Sequence, residues 1–219
     1  MLKVLPVILF AVLSCAALYL GLFVTPPAEG LGASSALFYL HVPLALCATV
    51  SFCISGWHAF RFLAIRETGH AESSHIAARL GLLFTVLTTA TGALWARLAW
   101  GSFWNNDPRE SSIVFLLIVY AAYFALRNSL GERADAPKIC AVYLLFSAAV
   151  MPFFVFVVPR IYPSLHPDTI INGSRKVLLT AEMRMTLLLA GLAALSFFAA
   201  LFGFEKRIAL LARTDGDTK

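Results

Sequence analysis

The residues in this 219-residue chain best equipped for chemistry are five histidines, four cysteines and one short stretch mixing aromatic and charged side chains. The cysteines, Cys15, Cys47, Cys53 and Cys140, all sit inside apolar runs. None is paired at CxxC spacing and no CxxCH occurs, which excludes covalent haem attachment of the c-type cytochrome kind. They read as small buried hydrophobes.

The mixed stretch runs Trp100-Gly101-Ser102-Phe103-Trp104-Asn105-Asn106-Asp107-Pro108-Arg109-Glu110. Its two tryptophans and phenylalanine can form a flat apolar platform for a large planar ring. Asp107, Arg109 and Glu110 are costly beside a membrane unless paired or solvated. Arg109 can pair with Asp107 or bind a carboxylate such as a haem propionate. Asp107 followed by Pro108 also suits a helix start, with Asp as cap and Pro in the first position. By composition alone, an ordinary interfacial aromatic belt is the favoured account of Trp95, Trp100 and Trp104. It does not account for so many charges among so many rings.

Composition dictates what must position these groups. Hydrophobic residues make up 60% of the chain and charged ones 13%, with a mean hydropathy of +0.81, against about 25% charged in a soluble domain. A protein this small cannot hide so much apolar surface in one core; a bilayer removes the difficulty by solvating the outside of each helix. The net charge of +5 does not indicate nucleic-acid binding, because the basic residues are scattered through short connections and form no stripe.

Six apolar segments reach bilayer-crossing length. They run approximately Val4–Val24, Ala36–Phe60, Leu80–Leu98, Ser111–Leu126, Ile139–Val158 and Leu178–Phe204. The expected fold is all-α, an integral membrane bundle of six transmembrane helices forming a single domain over 1–213, with a disordered polar tail over 214–219. The first segment is too long for a typical signal core, and Thr25-Pro26-Pro27-Ala28-Glu29 offers no small-residue cleavage pattern, so it is expected to be a retained helix. Eleven basic residues fall on one side of this topology and six, Arg97, Arg109, Arg160, Arg175, Lys176 and Arg184, on the other. The richer side is normally cytoplasmic, which places both termini inside. Three outer connections result: Thr25–Ser35, Ala99–Glu110 and Pro159–Val177.

This topology divides the histidines. His41 lies near the outer end of the second span and His166 in the third outer connection, whereas His58, His70 and His75 lie at or beyond the cytoplasmic end of the second span. Two imidazoles on opposite faces give six-coordinate haem iron, and they need not be close in sequence. A lone histidine is more often just a hydrogen-bonded polar residue, though ionisable groups near a membrane tend to be functional. Zinc is less attractive, since neither His41 nor His166 has an HxxxH or cysteine partner at the expected spacing.

The run Trp100 to Ser112 resembles the tryptophan-rich WWD signature of the haem-handling proteins of cytochrome c biogenesis. Among them, the short chain with six spans is similar to the CcmC family, the haem exporter protein C family. His41-Val42-Pro43 and His166-Pro167 fall where that family has its two outward-facing histidines. The resemblance implies non-covalent haem b at the periplasmic face of the bacterial inner membrane, with His41 and His166 as iron ligands. It further implies Trp100, Gly101, Trp104 and Asp107 as the platform; Arg109 is added on chemical grounds as a propionate partner. The implied function is to present haem for covalent transfer to the chaperone CcmE, beside the ABC-transporter subunits CcmA and CcmB and the small membrane protein CcmD. No conventional catalytic set is implied. Phe103 stands where another tryptophan is common, and Asn105-Asn106 replaces a more aromatic stretch, so the platform is expected to be more polar than usual.

The nearest rival is a CcsA-like component of the other cytochrome c assembly system, although those chains tend to have more spans and more histidines. A b-type cytochrome anchor would want its histidines facing each other within the hydrocarbon. A small-molecule transporter would want polar residues lining mid-membrane, and these spans hold few.

Overall fold

The computed structural model describes residues 4–28, 32–166 and 179–216. Lys3, Glu29, Pro167, Asp168, Arg175, Lys176 and Lys219 lie outside the described residues, as does most of the connection before the last helix.

Among the described residues seven α-helices follow one another: α1 Leu5–Phe23, α2 Phe38–Ile65, α3 Thr68–Trp100, α4 Pro108–Leu130, α5 Ala136–Pro152, α6 Val158–Ile161 and α7 Ala181–Gly216. A 3-10 turn at Ala33–Leu37 leads into α2, and a π-helical turn at Phe153–Val157 joins α5 to α6. No strand forms among the described residues; a lone bridge pairs Ala28 with Gly32. Counting α5 with its continuation as one span, six helices among the described residues are long and apolar enough to cross a membrane. The number and order of spans match the sequence reading.

Helix α2 is the centre of the bundle, packing chiefly on α3 and then on α5 and α7, while α1 lies against α7. The core between them is built on the stacked rings of Phe52 and Tyr120, with Phe84, Leu116, Leu144, Met151 and Phe198. Outward-facing residues such as Val12, Leu18, Leu22 and Phe146 are exposed. They have no protein partner to bury them, and lipid is the solvent that tolerates them.

Two boundaries differ from the hydropathy reading, each for a local reason. Helix α3 begins at Thr68, well before the apolar run at Leu80. Its second turn is buried nonetheless, at Ser73 and Ser74. Ser55 Oγ donates to the Ser74 carbonyl (2.9 Å), and Ser74 Oγ donates back to the Ser55 carbonyl (2.8 Å). Small hydroxyl residues thus hold α2 and α3 together where larger apolar side chains would hold them apart. The reversal itself occupies Arg66 and Glu67, with Arg66 left-handed (φ 59°) and its N–H on the Phe62 carbonyl.

The fifth span is interrupted. Pro152 has no N–H to offer the preceding turn, and the helix widens immediately after it into the π turn. Turns of that kind occur often at functional sites. This one carries Phe154, Val155 and Phe156 to one end of the bundle, where α2, α3 and α4 also meet.

Candidate functional site

His41 projects from the first turns of α2 towards α3. Its Nδ1 lies 3.1 Å from the Thr88 carbonyl and 3.2 Å from Thr91 Oγ1. A carbonyl can only accept, so Nδ1 carries the ring proton. Thr91 spends its own proton on the Leu87 and Thr88 carbonyls and is likewise an acceptor. The consequence is that His41 Nε2 keeps an open lone pair. The ring fits against α3 because position 92 is glycine: a Cβ there would stand 2.8 Å from His41 Cε1. Trp95 closes the other side edge-on, 5.9 Å between centroids.

His166 reaches the same end of the bundle on the chain that follows α6. Its Nδ1 lies 3.1 Å from Asp107 Oδ1, which again fixes the proton on Nδ1 and leaves Nε2 open. Asp107 is 3% exposed and does several things at once. It caps α4 by accepting from the Arg109 N–H (2.8 Å), with Glu110 completing a capping box. It also accepts from the Leu165 N–H (2.7 Å) and from Ser164 Oγ (2.9 Å). One carboxylate therefore ties the start of α4 to the segment bearing His166, and Trp100 packs edge-on against that imidazole at 5.0 Å.

Electrostatics follow from this geometry. Burial disfavours a charged imidazole and holds His166 below its ordinary value, outweighing the opposite pull of Asp107. Burial alone would raise the Asp107 carboxyl. The hydrogen bonds from Arg109, Leu165 and Ser164 reverse that effect and keep it below the usual carboxylate range. The pair at neutral pH is a carboxylate orienting a neutral imidazole.

Both histidines line one cavity of about 340 Å³ between α2, α3, α4 and the π turn. Its walls are apolar, from Phe38, Val42, Ile113, Leu116, Phe154 and Phe156 among others. Phe103 and Trp104 stand at its rim, 57% and 41% exposed. Arg109 and Arg160 supply positive charge. Two further lining groups, Trp95 Nε1 and Ser112 Oγ, are buried and have no hydrogen-bond partner among the described residues. Pockets that take a drug-sized or cofactor-sized ligand span about 300–1,000 Å³ and are apolar with a few convergent polar groups. Two open imidazole lone pairs, a planar aromatic rim and two cations fit a metalloporphyrin carrying carboxylates.

Of the residues singled out in the sequence, His41, His166, Trp104 and Arg109 thus share the cavity. Trp100, Gly101 and Asp107 do not line it. Trp100 and Asp107 contact His166 instead. Gly101 ends α3 in the left-handed region (φ 83°), where a side chain would be strained. Asp107 followed by Pro108 opens α4 as the sequence indicated. Sequence reasoning did not find Ser164, Thr88 or Gly92. Ser164 and Thr88 act through local hydrogen bonds with no composition signal; a glycine inside an apolar helix is a faint hint of close approach. His58, His70 and His75 lie towards the opposite end, where His75 Nδ1 meets Tyr123 Oη at 3.0 Å.

The family model described as Heme exporter protein C matches residues 1–219. A putative cytochrome c biosynthesis ccmC-like mitochondrial protein of Arabidopsis thaliana is 33% identical over 123 residues, covering 56% of this chain and 48% of that one. The Heme exporter protein C of Haemophilus influenzae is 26% identical over 195 residues, covering 87% and 77%. A cytochrome c biogenesis protein CcsA of Synechococcus is 35% identical over 97 residues, covering 44% and 32%. The chain spans about half the length of several curated relatives that it matches.

Proposed function

Because the chain belongs to the Heme exporter protein C family, we propose that it binds haem b non-covalently in the cavity between His41 and His166 and presents it for cytochrome c maturation. The observation that carries this reading is that two histidines far apart in sequence line one apolar cavity, each with Nδ1 hydrogen-bonded to an acceptor and Nε2 open. Metal-ligating histidines ordinarily have their second nitrogen fixed in this way.

Each residue then has a defined task. His41 and His166 would hold the iron through their open Nε2 atoms and restrain it from reacting with oxygen. Asp107, Ser164 and Trp100 hold the His166 ring in place. Trp104 and Phe103 cover one face of the macrocycle and exclude water. Gly101 lets the chain turn from α3 into that rim. Arg109, with Arg160 beside the same cavity, meets the propionates, and Trp95 Nε1 and Ser112 Oγ offer donors to the same carboxylates. The apolar walls supply affinity through buried area, and ligation fixes orientation. No side chain serves as acid, base or nucleophile; the protein's work is to hold the porphyrin with a vinyl edge towards a partner.

The reading extends to topology and partners. The cavity faces the periplasm and both termini lie in the cytoplasm, as the distribution of basic residues supports. The bundle of 1–213 is one domain with a polar tail. The recipient is a CcmE-like haem chaperone, and the protein works beside CcmA/CcmB-like transporter subunits and a CcmD-like small membrane protein. The partial likeness to CcsA is compatible with a shared haem-presenting stretch.

The optical spectrum of the purified protein with haem tests this. A six-coordinate low-spin spectrum is expected in the natural chain. It should be lost in His41→Ala and His166→Ala, and a normal six-coordinate spectrum in His166→Ala would rule that residue out as a ligand.

A further inference from the structure

The connection from α3 to α4 is held largely by hydrogen bonds within itself. Ser102 Oγ donates to the Trp104 carbonyl (2.9 Å) and accepts from the Trp104 N–H (3.4 Å). Asn105 Nδ2 donates to the Ser102 carbonyl (3.2 Å), and the Asn105 N–H reaches Glu110 Oε2 at 2.7 Å. These bonds fix the backbone on both sides of Trp104. Its side chain is fixed separately: the indole Nε1–H donates to Asn106 Oδ1 at 2.9 Å.

Asn106 suits that task on two counts. Its backbone is left-handed (φ 55°), a conformation that glycine adopts freely and that Asn and Asp tolerate better than most other residues. Of those three types, only Asn and Asp carry an oxygen for the indole to reach. Neither Asn105 nor Asn106 lines the cavity. The polarity expected of the platform is spent inside the connection, and Trp104 stands at the rim as an exposed apolar plate. Packing on one side alone leaves the direction of such a ring open, and the bond to Asn106 sets it.

A plate held in one direction can discriminate where iron ligands cannot. Haem b has two near-equivalent placements, related by a half-turn about the in-plane axis that runs between its propionates. The turn exchanges vinyl with methyl positions and leaves iron and carboxylates where they were. Axial histidines and cations at the propionates meet the same groups in both placements; a side chain against the ring does not. On the reading of the chain as a haem carrier, we propose that Asn106 is a positioning residue. It holds the Trp104 indole in one direction, and the indole admits the porphyrin in one of its two placements. Which vinyl group faces a partner is then set by this connection and not by the ligands of the iron.

Proton NMR of the full-length purified protein, without and with haemin, tests this. In the ligand-free natural chain the Trp104 indole N–H, assigned by its absence from Trp104→Phe, should exchange slowly with solvent. Asn106→Gly keeps the left-handed turn and removes the acceptor. Among the signals of the four tryptophans that one alone should then exchange fast, which also shows that the fold is kept. With haemin, the natural chain should give one major set of haem methyl resonances, about fivefold or more over the minor set, the preference that one hydrogen bond of ordinary strength sustains. Asn106→Gly and Trp104→Phe should each give two sets of similar intensity, with the low-spin optical spectrum of Asn106→Gly unchanged. Asn106→Asp, which keeps an acceptor, should restore one set. Two similar sets in the natural chain would overturn the role of Asn106 while leaving haem binding intact. One major set retained in Asn106→Gly or Trp104→Phe would overturn it too, as would loss of haem from an Asn106→Gly chain whose other indole signals are unchanged. A natural chain that forms no low-spin haem complex would sink the proposed function itself.

Discussion

Asp107 Oδ1 accepts a hydrogen bond from His166 Nδ1 at 3.1 Å, across a gap in the sequence that spans two membrane crossings. The same carboxylate caps α4. A single buried acid thereby couples the end of a helix to the direction of an imidazole, and the strength of one depends on the other.

Asp107→Asn keeps an oxygen able to cap α4 but removes the charge that selects the Nδ1–H tautomer of His166. Haem affinity should fall by about 10–100-fold, the usual effect of losing a ligand's supporting partner, with a mixed-spin spectrum. Asp107→Ala should in addition cost about 1 kcal/mol of helix stability through the lost cap. Haem titration and thermal unfolding of the two variants separate the two roles.

Acid should dissolve the site in two stages. His166 has a folded-state value below its ordinary one, so the unfolded chain takes up that proton first, and stability falls as pH drops below about 6.5. The ligand itself resists protonation longer than free imidazole would, so the low-spin spectrum should persist somewhat below pH 6.5. Asp107 is shifted down as well. Its clasp on Leu165 and Ser164 is fully present above the ordinary carboxylate value of about 3.9 and is lost as pH falls through its lower folded value. Spectra recorded from pH 8 to pH 3 should show loss of His166 ligation before loss of the helix signal.

Gly92→Ala places a methyl group where His41 Cε1 lies 2.8 Å away. The imidazole must turn off its Thr88 and Thr91 acceptors. Alanine is favoured over glycine inside a helix by about 1 kcal/mol, so α3 should not be weakened in itself. The expected outcome is impaired haem ligation with unfolding temperature nearly unchanged. A haem titration of Gly92→Ala that matches the natural chain would show that His41 does not need its present orientation.

Ser102, on the exposed turn after α3, and Glu132, on the exposed turn after α4, lie at opposite ends of the bundle. Single cysteines at these positions, in a chain lacking its own four, should label differently in intact cells. An impermeant thiol reagent added outside should reach position 102 and not position 132. The reverse pattern would invert the proposed orientation.

How much of this was legible in the sequence varied with the physics involved. Span number was legible because apolar length reports directly on a bilayer. The start of α3 was not, because Ser73 and Ser74 read as a polar connection, yet Ser74 is buried by its reciprocal bonds with Ser55. Hydropathy does not register helices joined by small hydroxyl residues. His41 and His166 fell on one side by counting crossings, and the cavity brings them together. Ser164, the Thr88 carbonyl and Gly92 escaped because their contribution lies in angles and distances that residue type does not encode. Trp100 illustrates the intermediate case. Its type indicated an aromatic surface, but only the fold turned its edge on His166 rather than into the cavity wall.

The π turn at Phe153–Val157 acts as a phase shifter. It fits about one more residue into its turn than an α-helix does, so a change that rewound it to regular α winding with every residue kept would overwind the span. Everything downstream would then rotate by about 100°, the angle per residue of an α-helix. Phe156, Pro159 and Arg160 would swing away from α2, and the chain bearing His166 would leave in a new direction. A change of winding that leaves the length of a transmembrane span almost unaltered would here be read out as a change of azimuth at the segment bearing His166.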